Sequence, residues 1–370
     1  MFTELLQSLD DHYTKNLPFV VYRKPSTQLV QAIFQKDARV HSIKDFSETG
    51  FVFAPFDSRK RSVLMLADQT QEALYTIRSV KSKSTKIKEE TRVEQREFHV
   101  ALVRKGIDSI QSKALKKVVL SRNIEIKNEF TPIELFQKLL DGYSTAFCYL
   151  WYHPKIGTWL GATPEILLKT ENQQITTMSL AGTQKFVENT TPKWGKKEID
   201  EQQLVTDYIS NAIEKLVSNL IVSKRESIQA GSLWHLRTKL IGRFKKQDFA
   251  TILNALHPTP AVCGLPMIEA KKFILENENY DREYYTGYLG ELNFIEKRER
   301  TTNNRNQENK AYKSIKTKTT LFVNLRSMKL MPHYVKVYLG GGVTADSDAE
   351  KEWQETVIKS TTMLRVLGDD

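Results

Sequence analysis

The chain predicts an α+β fold, on three observations. β-type runs recur through the 370 residues, segments with helical periodicity stand apart from them, and the two do not alternate as regular βαβ units would require. Hydrophobic residues make up 40% of the chain, enough to fill a substantial core in one large domain or two ordinary ones.

The elements follow in order. Residues 1–90 place apolar stretches at 19–22, 51–56 and 63–66 between turn residues, which predicts strands beside a short first helix. Val93, Phe98, Leu102, Ile107 and Ile110 stand near helical spacing and predict a helix over 91–112, followed by a strand over 117–126. Pro132 suits a first-turn position and predicts a helix to about Gly142. Strands are expected at 146–152, 158–160 and 166–170.

Leu204, Val205, Tyr208, Ile209, Ala212 and Leu216 form one stripe of a helix expected over 196–217. Glu201 falls on that stripe one turn before Val205, which places a carboxylate at the edge of the core. A strand near Ser227, a helix running into 257–260 and a helix over 266–278 come next, then β-type runs at 285–294, 320–327 and 334–339. A helix over 348–367 closes the chain, and no internal repeat at solenoid spacing is visible.

Composition narrows the function classes. Cys148 and Cys263 form neither a disulfide framework nor a metal-ligand spacing, which fits a reducing compartment. Residues 1–13 lack the basic and apolar regions of a signal peptide, and no apolar segment approaches the length of a membrane span. The expectation is a soluble cytoplasmic protein that engages no membrane. The net charge of +11 admits a nucleic acid or an anionic small molecule as partner. Much of the excess lies at 81–88 and 296–318, which read as solvated loops; Tyr312 is the only aromatic in the second, so the stacking residues of a single-strand-binding surface are missing. A nucleic-acid-binding protein on an inactive enzyme scaffold is the remote alternative.

Four glutamates are candidates for chemistry. Glu352 and Glu355 share a helix face that Asp348 and Lys359 extend, and Glu198 and Glu201 repeat the spacing. Either pair alone reads as solvated surface, because charged side chains normally face water. Together, on two helices, they could supply oxygen ligands to Mg2+, which keeps several waters and shares its shell with an anionic substrate. Gly340-Gly341-Gly342 is expected to end a strand shortly before the last helix, where bare N–H groups could cradle a carboxylate; a flexible turn explains the glycines equally well. Lys117 opens an apolar strand and Glu165 precedes another. Burial there would make the lysine a weaker acid binder of its proton and the glutamate a tighter one, a candidate base and acid, although an ordinary strand-end lysine and strand-edge glutamate read the same way.

Taken in order, these motifs resemble the chorismate-converting enzymes, the family of isochorismate, salicylate, anthranilate and aminodeoxychorismate synthases. The resemblance spans 94–368. It is carried by 117–122, Gly161-Ala162-Thr163-Pro164-Glu165, Ser179-Leu180-Ala181-Gly182-Thr183, 198–205, Trp234-His235-Leu236, His257-Pro258-Thr259-Pro260-Ala261-Val262, Tyr285-Thr286-Gly287 and 340–359. It implies a chorismate-binding fold: a single compact domain of large, mainly antiparallel sheets with helices outside. Residues 1–90 would be a strand-rich part of that fold, and 91–370 the catalytic region with a basic insertion at 296–318.

The resemblance also implies roles. Lys117 resembles the base that activates water for attack at C2 of chorismate, and Glu165 the acid that protonates the departing C4 hydroxyl. Glu201 and Glu355 match magnesium-ligand positions, with Glu198 and Glu352 beside them. Tyr285, Arg326, Lys359 and the Gly340, Gly341 and Gly342 backbone match carboxylate-binding positions. Ala181, Gly182, Thr183 and His235 line the same pocket.

Within the family, aminodeoxychorismate synthases carry a nucleophilic lysine where this chain has Ala181, which leaves room for water. The 257–262 sequence has the form typical of isochorismate synthases. The implied activity is magnesium-dependent isomerisation of chorismate to isochorismate by a monomer, feeding menaquinone or catechol-siderophore synthesis, with salicylate synthase as the alternative. Two departures from the family pattern stand out: Gln202 occupies the place of a common histidine, and the 296–318 insertion is long and basic.

Overall fold

The computed structural model describes residues 1–78, 93–186, 190–230, 233–298 and 314–368. Its first part runs α1 (Phe2–Thr14), β1 (Phe19–Arg23), β2 (Leu29–Phe34), β3 (His41–Ser42), β4 (Gly50–Ala54), β5 (Val63–Met65) and β6 (Gln69–Leu74). Next come α2 (Val93–Gln111), β7 (Lys117–Lys127), α3 (Pro132–Gly142), β8 (Phe147–His153), β9 (Gly157–Thr163), β10 (Ile166–Glu171) and β11 (Gln174–Lys185). Then follow α4 (Lys196–Ile213), β12 (Val217–Val222), β13 (Glu226–Ala230), β14 (Leu233–Phe244), α5 (Phe249–Leu256), β15 (Gly264–Leu265) and α6 (Met267–Asn277). The chain closes with β16 (Tyr288–Arg298), β17 (Ser314–Val323), β18 (Ser327–Leu330), β19 (Tyr334–Val343) and α7 (Ala349–Leu367).

These strands build two antiparallel sheets. One has nine strands in the order β15-β7-β19-β18-β9-β8-β1-β2-β6; the other has ten, ordered β12-β14-β11-β10-β17-β16-β4-β5-β3 with β13 added on β14. The sheets stack on an aromatic layer that includes Tyr22, Phe53, Phe147, Tyr149, Trp151, Trp159, Tyr285, Phe322 and Tyr338. Strand β8 shows why the order is stable: Phe147, Tyr149 and Trp151 enter that layer, whereas Cys148, Leu150 and Tyr152 face the helices outside. On the outer face of the nine-stranded sheet lie α1, α3 and the end of α7; α4 and α5 cover the ten-stranded sheet. The α+β class with helices outside large antiparallel sheets is what the sequence predicts. Among the described residues no helix is long and apolar enough to cross a membrane.

Two of the connections that change sheets run side by side. Glu165 lies between β9 of one sheet and β10 of the other, and Arg326 lies between β17 and β18. The Ala162 N–H donates to the Arg326 carbonyl at 3.1 Å, and the Val323 N–H to the Glu165 carbonyl at 3.0 Å. Arg326 takes φ 47° to make its turn. A run expected as one strand over 320–327 is therefore two strands in different sheets.

Other expectations need correction. The helix expected to reach 217 stops at Ile213, and Val217, Ile221 and Val222 pair with β14 instead, as β-branched residues favour. In α2 the buried face is His99, Val100, Leu102, Val103, Gly106 and Ile110, while Val93 and Phe98 are exposed. Strand β11 escapes the hydrophobic pattern because buried Thr177 and Ser179 interrupt it. The ends of the 296–318 stretch are strand, not loop: Glu296 pairs in register with Lys316, and Lys318 makes ion pairs with Glu296 and Glu171. The rest of that stretch, and the basic residues 81–88, lie outside the described residues.

Candidate functional site

The glycine triplet lies inside β19, not beyond its end, paired with β7. On β7 the Ser121 N–H donates to Glu278 Oε1 at 2.8 Å and the Val119 N–H to the Cys263 carbonyl at 2.8 Å, both away from β19. Their partners across the ladder, Gly340 and Gly342, must then also turn their N–H and C=O groups outward. Gly341 keeps its groups in the ladder. Strand β18 pairs with β19 only as far as Val337, so the outward groups of Gly340 and Gly342 face an edge that no strand among the described residues covers. Lys359 reaches that edge from α7 and donates to the Gly340 carbonyl at 3.0 Å.

Lys117, on β7, lies across β19 from that edge, with its side chain beside Gly342. Its side chain is 2% exposed and its Nζ lies 2.6 Å from Glu201 Oε1, so a residue of the first sheet meets one from the helix that covers the second. A Cβ on Gly342 would lie 3.2 Å from Lys117 Cε and 3.4 Å from Glu201 Oε1. A Cβ on Gly340 would lie 2.9 Å from the Tyr285 hydroxyl oxygen. Glycine at these two positions keeps the strand close to the groups that face it. Tyr285 is buried against Tyr338, with ring centroids 5.2 Å apart, and that burial raises its phenol above the usual range.

Glu165 and Arg326 come from the two adjacent connections β9–β10 and β17–β18. Burial pushes the Glu165 carboxyl up to about 8 against the opposing pull of Lys117 and Arg326, so it carries its proton at neutral pH. Burial also lowers the Arg326 guanidinium. His235, on β14, has Nδ1 3.0 Å from the Gly182 carbonyl and Nε2 3.4 Å from an Arg326 nitrogen. Because a guanidinium can only donate, Nε2 accepts and Nδ1 carries the proton. Burial, then Arg326 and Lys359, lowers His235 to about 4, which keeps the ring neutral.

Gly182 sits where the β11 register shifts between Ala181 and Gln184, at φ 72°, and that turn aims its carbonyl at His235. Ala181 pairs with Leu236 beside it. Thr183 lies in the same bulge, but its side chain falls outside the described residues.

The four candidate metal carboxylates flank the glycine strand without meeting. Glu198 lies on the Gly182 side, its Cβ 3.4 Å from where a Gly182 Cβ would sit. Glu201 faces Gly342, whereas Glu352 Oε2 lies 3.5 Å from a Cβ on Gly341, and neighbours in a strand point to opposite faces. Glu352 is buried and accepts from Ser347 Oγ at 2.7 Å; Glu355 is paired with Lys359 at 2.6 Å. Among the described residues no group of three or more His, Cys, Asp or Glu stands close enough to hold a metal ion. The set is thus no closed cage. Glu201 and Glu355, on two helices, are the hard oxygen donors of the type Mg2+ takes together with waters and a substrate carboxylate, whereas Glu352 lies on the other face of the strand from Glu201.

Two groups beside the site had no sequence signal. Glu278 and Arg282, 1% and 2% exposed, form an ion pair at 2.5 Å just past the end of α6. Glu278 Oε1 accepts from the Ser121 N–H and hydroxyl, and Arg282 donates to the Val119 and Val262 carbonyls. The pair satisfies the outer edge of β7 opposite Gly340 and Gly342. From the sequence, a glutamate after a helix reads as surface.

This architecture is shared with known proteins. The chain matches the family model described as chorismate binding enzyme over residues 50–300 and 312–368. It is 27% identical over 362 residues to the isochorismate synthase EntC of Escherichia coli (strain K12), an alignment covering 93% of this chain and 86% of that protein. To the isochorismate synthase DhbC of Bacillus subtilis it is 28% identical over 289 residues, 72% of this chain and 67% of that one. Among solved structures, the menaquinone-specific isochorismate synthase MenF of Escherichia coli superposes with a TM-score of 0.75 at 19% identity, covering 95% of this chain and 89% of that one. The putative 2,3-dihydroxybenzoate-specific isochorismate synthase DhbC of Bacillus anthracis gives 0.73 at 23% identity, covering 96% and 97%.

Proposed function

Because the chain belongs to the chorismate-binding enzyme family, we propose that it is an isochorismate synthase, an isomerase that converts chorismate to isochorismate. The observation that carries this reading is Glu165: a buried carboxyl that keeps its proton at neutral pH, set against Lys117 and Arg326 at the junction of the two sheets. An acid and a base at one pocket are what a hydroxyl transposition needs. Lys117, in its neutral form, takes a proton from water as the water oxygen bonds to C2 of chorismate. The ring double bonds shift, and Glu165 gives its proton to the C4 hydroxyl, which leaves as water. One water enters and one departs, so substrate and product are isomers.

The outward N–H groups of Gly340 and Gly342, with Lys359, Arg326 and the Tyr285 hydroxyl, hold the carboxylates of the dianion. His235, neutral and fixed by Gly182 and Arg326, lines the pocket with Ala181, Gly182 and Thr183. Magnesium would be held by Glu201 and Glu355, with Glu198 one turn from Glu201, and would neutralise the ring carboxylate when bound; Glu352, expected beside them, lies on the other face of the strand from Glu201. Ala181, in place of a lysine, leaves room for the water. The product would enter menaquinone or catechol-siderophore synthesis, and relatives of both kinds support that reading.

Chromatography of products from chorismate and Mg2+ tests the proposal. Isochorismate is the expected product; salicylate with pyruvate would assign the chain to the lyase branch instead. Lys117→Ala and Glu165→Gln are each expected to lower turnover by about 100-fold or more, the usual contribution of general acid–base groups. Turnover unchanged in either variant would overturn that residue's role.

A further inference from the structure

We propose that Gln202 is a positioning residue: it fixes the rotation of α4 about its own axis and thereby sets where Glu198 and Glu201 point. The proposal rests on the assignment of those carboxylates to the cation. Gln202 is the residue that departs from the family's histidine, and its side chain is fully buried.

Every polar atom of the Gln202 amide has a partner. Its Nε2 donates to Ser179 Oγ at 2.8 Å and Thr238 Oγ1 at 2.9 Å, with Thr206 Oγ1 at 3.0 Å. Its Oε1 accepts from Arg225 Nε at 2.6 Å. Arg225 can only donate, which fixes the orientation of the amide. Ser179 and Thr238 face each other across the β11–β14 ladder, so one side chain bridges a strand pair of the sheet on which α4 lies. Thr206, one turn along, returns its proton to the Gln202 carbonyl at 3.0 Å. Arg225, in the connection between β12 and β13, also donates to Gln203 Oε1 at 2.6 Å and so staples that connection to the helix.

Glu201 is the next residue in the chain and points elsewhere, to Lys117 and Gly342. A slip of about 20° about the helix axis would move a side-chain tip by about 2 Å, given the radius of a helix with its side chains. That equals a whole Mg–O bond of about 2.0–2.1 Å. A histidine could not replace Gln202 here. Neutral imidazole has one donor and one acceptor and cannot accept from Arg225 while donating to two hydroxyls; imidazolium would oppose the guanidinium. Gln202 and Arg225 are thus a matched pair.

The test measures Mn2+ binding to the full chain by electron paramagnetic resonance, with chorismate kinetics and circular dichroism alongside. Gln202→Leu and Gln202→His should weaken Mn2+ binding by about tenfold or more, as lost support of metal ligands does, with the dichroism spectrum unchanged. Gln202→His combined with Arg225→Gln, which replaces the opposing cation with a neutral amide able to accept as well as donate, should recover most of the affinity lost in Gln202→His. If the Gln202 variants fail to fold, Arg225→Ala at a half-buried position carries the test and should weaken binding in the same sense. Unaltered affinity in folded variants, or a double variant no better than Gln202→His, overturns the proposal while leaving the enzymatic reading intact. A wild-type chain that turns over chorismate but binds no Mn2+ overturns the carboxylate assignment and this proposal with it; one that does neither overturns the function as well.

Discussion

Glu165 couples the chemistry to stability. Its carboxyl is raised to about 8 by burial, above the value it has in an unfolded chain. Between about pH 4.5 and 8 the unfolded chain has given up this proton and the native state still holds it. The native state binds more protons there, so this group's contribution to stability falls as pH rises through that window. His235, lowered to about 4, has the opposite sign, since the native ring refuses a proton that the unfolded ring accepts; its contribution rises with pH from about 4 to the ordinary histidine range. Glu165→Gln removes the first effect alone. Urea denaturation at pH 5 and pH 8 should show the variant gaining stability relative to wild type at the higher pH. Parallel profiles would mean that Glu165 is ionised in the fold. In the proposed mechanism the same proton sets activity: kcat/KM should fall as pH rises past about 8, where the acid is lost.

The glycine strand makes a graded prediction at the level of the element. Gly340→Ala and Gly342→Ala put a methyl against Tyr285 and against Lys117 with Glu201, at 2.9 and 3.2 Å, whereas Gly341→Ala meets Glu352 at an ordinary 3.5 Å. Turnover should fall by about tenfold or more in the first two and by less in the third, because a small displacement of positioned groups is costly. Equal loss in all three would argue for strand propensity alone. This distinction was not legible in the sequence, where three glycines look equivalent; it depends on which residues of β7 bond outward to Cys263 and Glu278. Helices announced themselves better. Pro132 with Thr131 and Glu134 marks the start of α3, where the threonine and glutamate cap each other reciprocally, and the Asp348 side chain caps α7 by accepting the Lys351 N–H at 2.9 Å. The break of 320–327 into β17 and β18 was hidden because both halves read as strand and only the turn at Arg326 separates them. The ordered motifs pointed to the candidate residues, yet the pairing of Lys117 with Glu201 joins residues 84 positions apart and is a fact of topology.

At the scale of the molecule, the buried Glu278–Arg282 pair joins β7, the end of α6 and the Tyr285 corner. Breaking such a pair from one side leaves a buried charge without its counter-charge and typically costs about 3–5 kcal/mol. Glu278→Gln should therefore shift the urea midpoint sharply downward, with Mn2+ binding by the remaining folded protein unchanged. An unshifted midpoint would show that the pair is dispensable to the fold. Stability and cation binding are thus assigned to different buried polar networks, one around Arg282 and one around Gln202.

The hairpin of β16 and β17 has a further consequence. Its near end, at Gly287 and Asn324, is bonded into the corner beside Tyr285, and the Asn324 N–H donates to the Gly287 carbonyl at 2.8 Å. From there the 11 residues of β16 carry the chain about 30 Å along the strand direction before the hairpin ends at Arg298 and Ser314. Those two strand ends stand far from the Tyr285 corner. The junction is accordingly a port for engineering: a fluorescent reporter or affinity tag spliced between Arg298 and Ser314 should leave the rate of isochorismate formation within about twofold of wild type, as tolerated surface insertions do. The same cassette placed between Thr163 and Ile166, where the chain changes sheets, should abolish it.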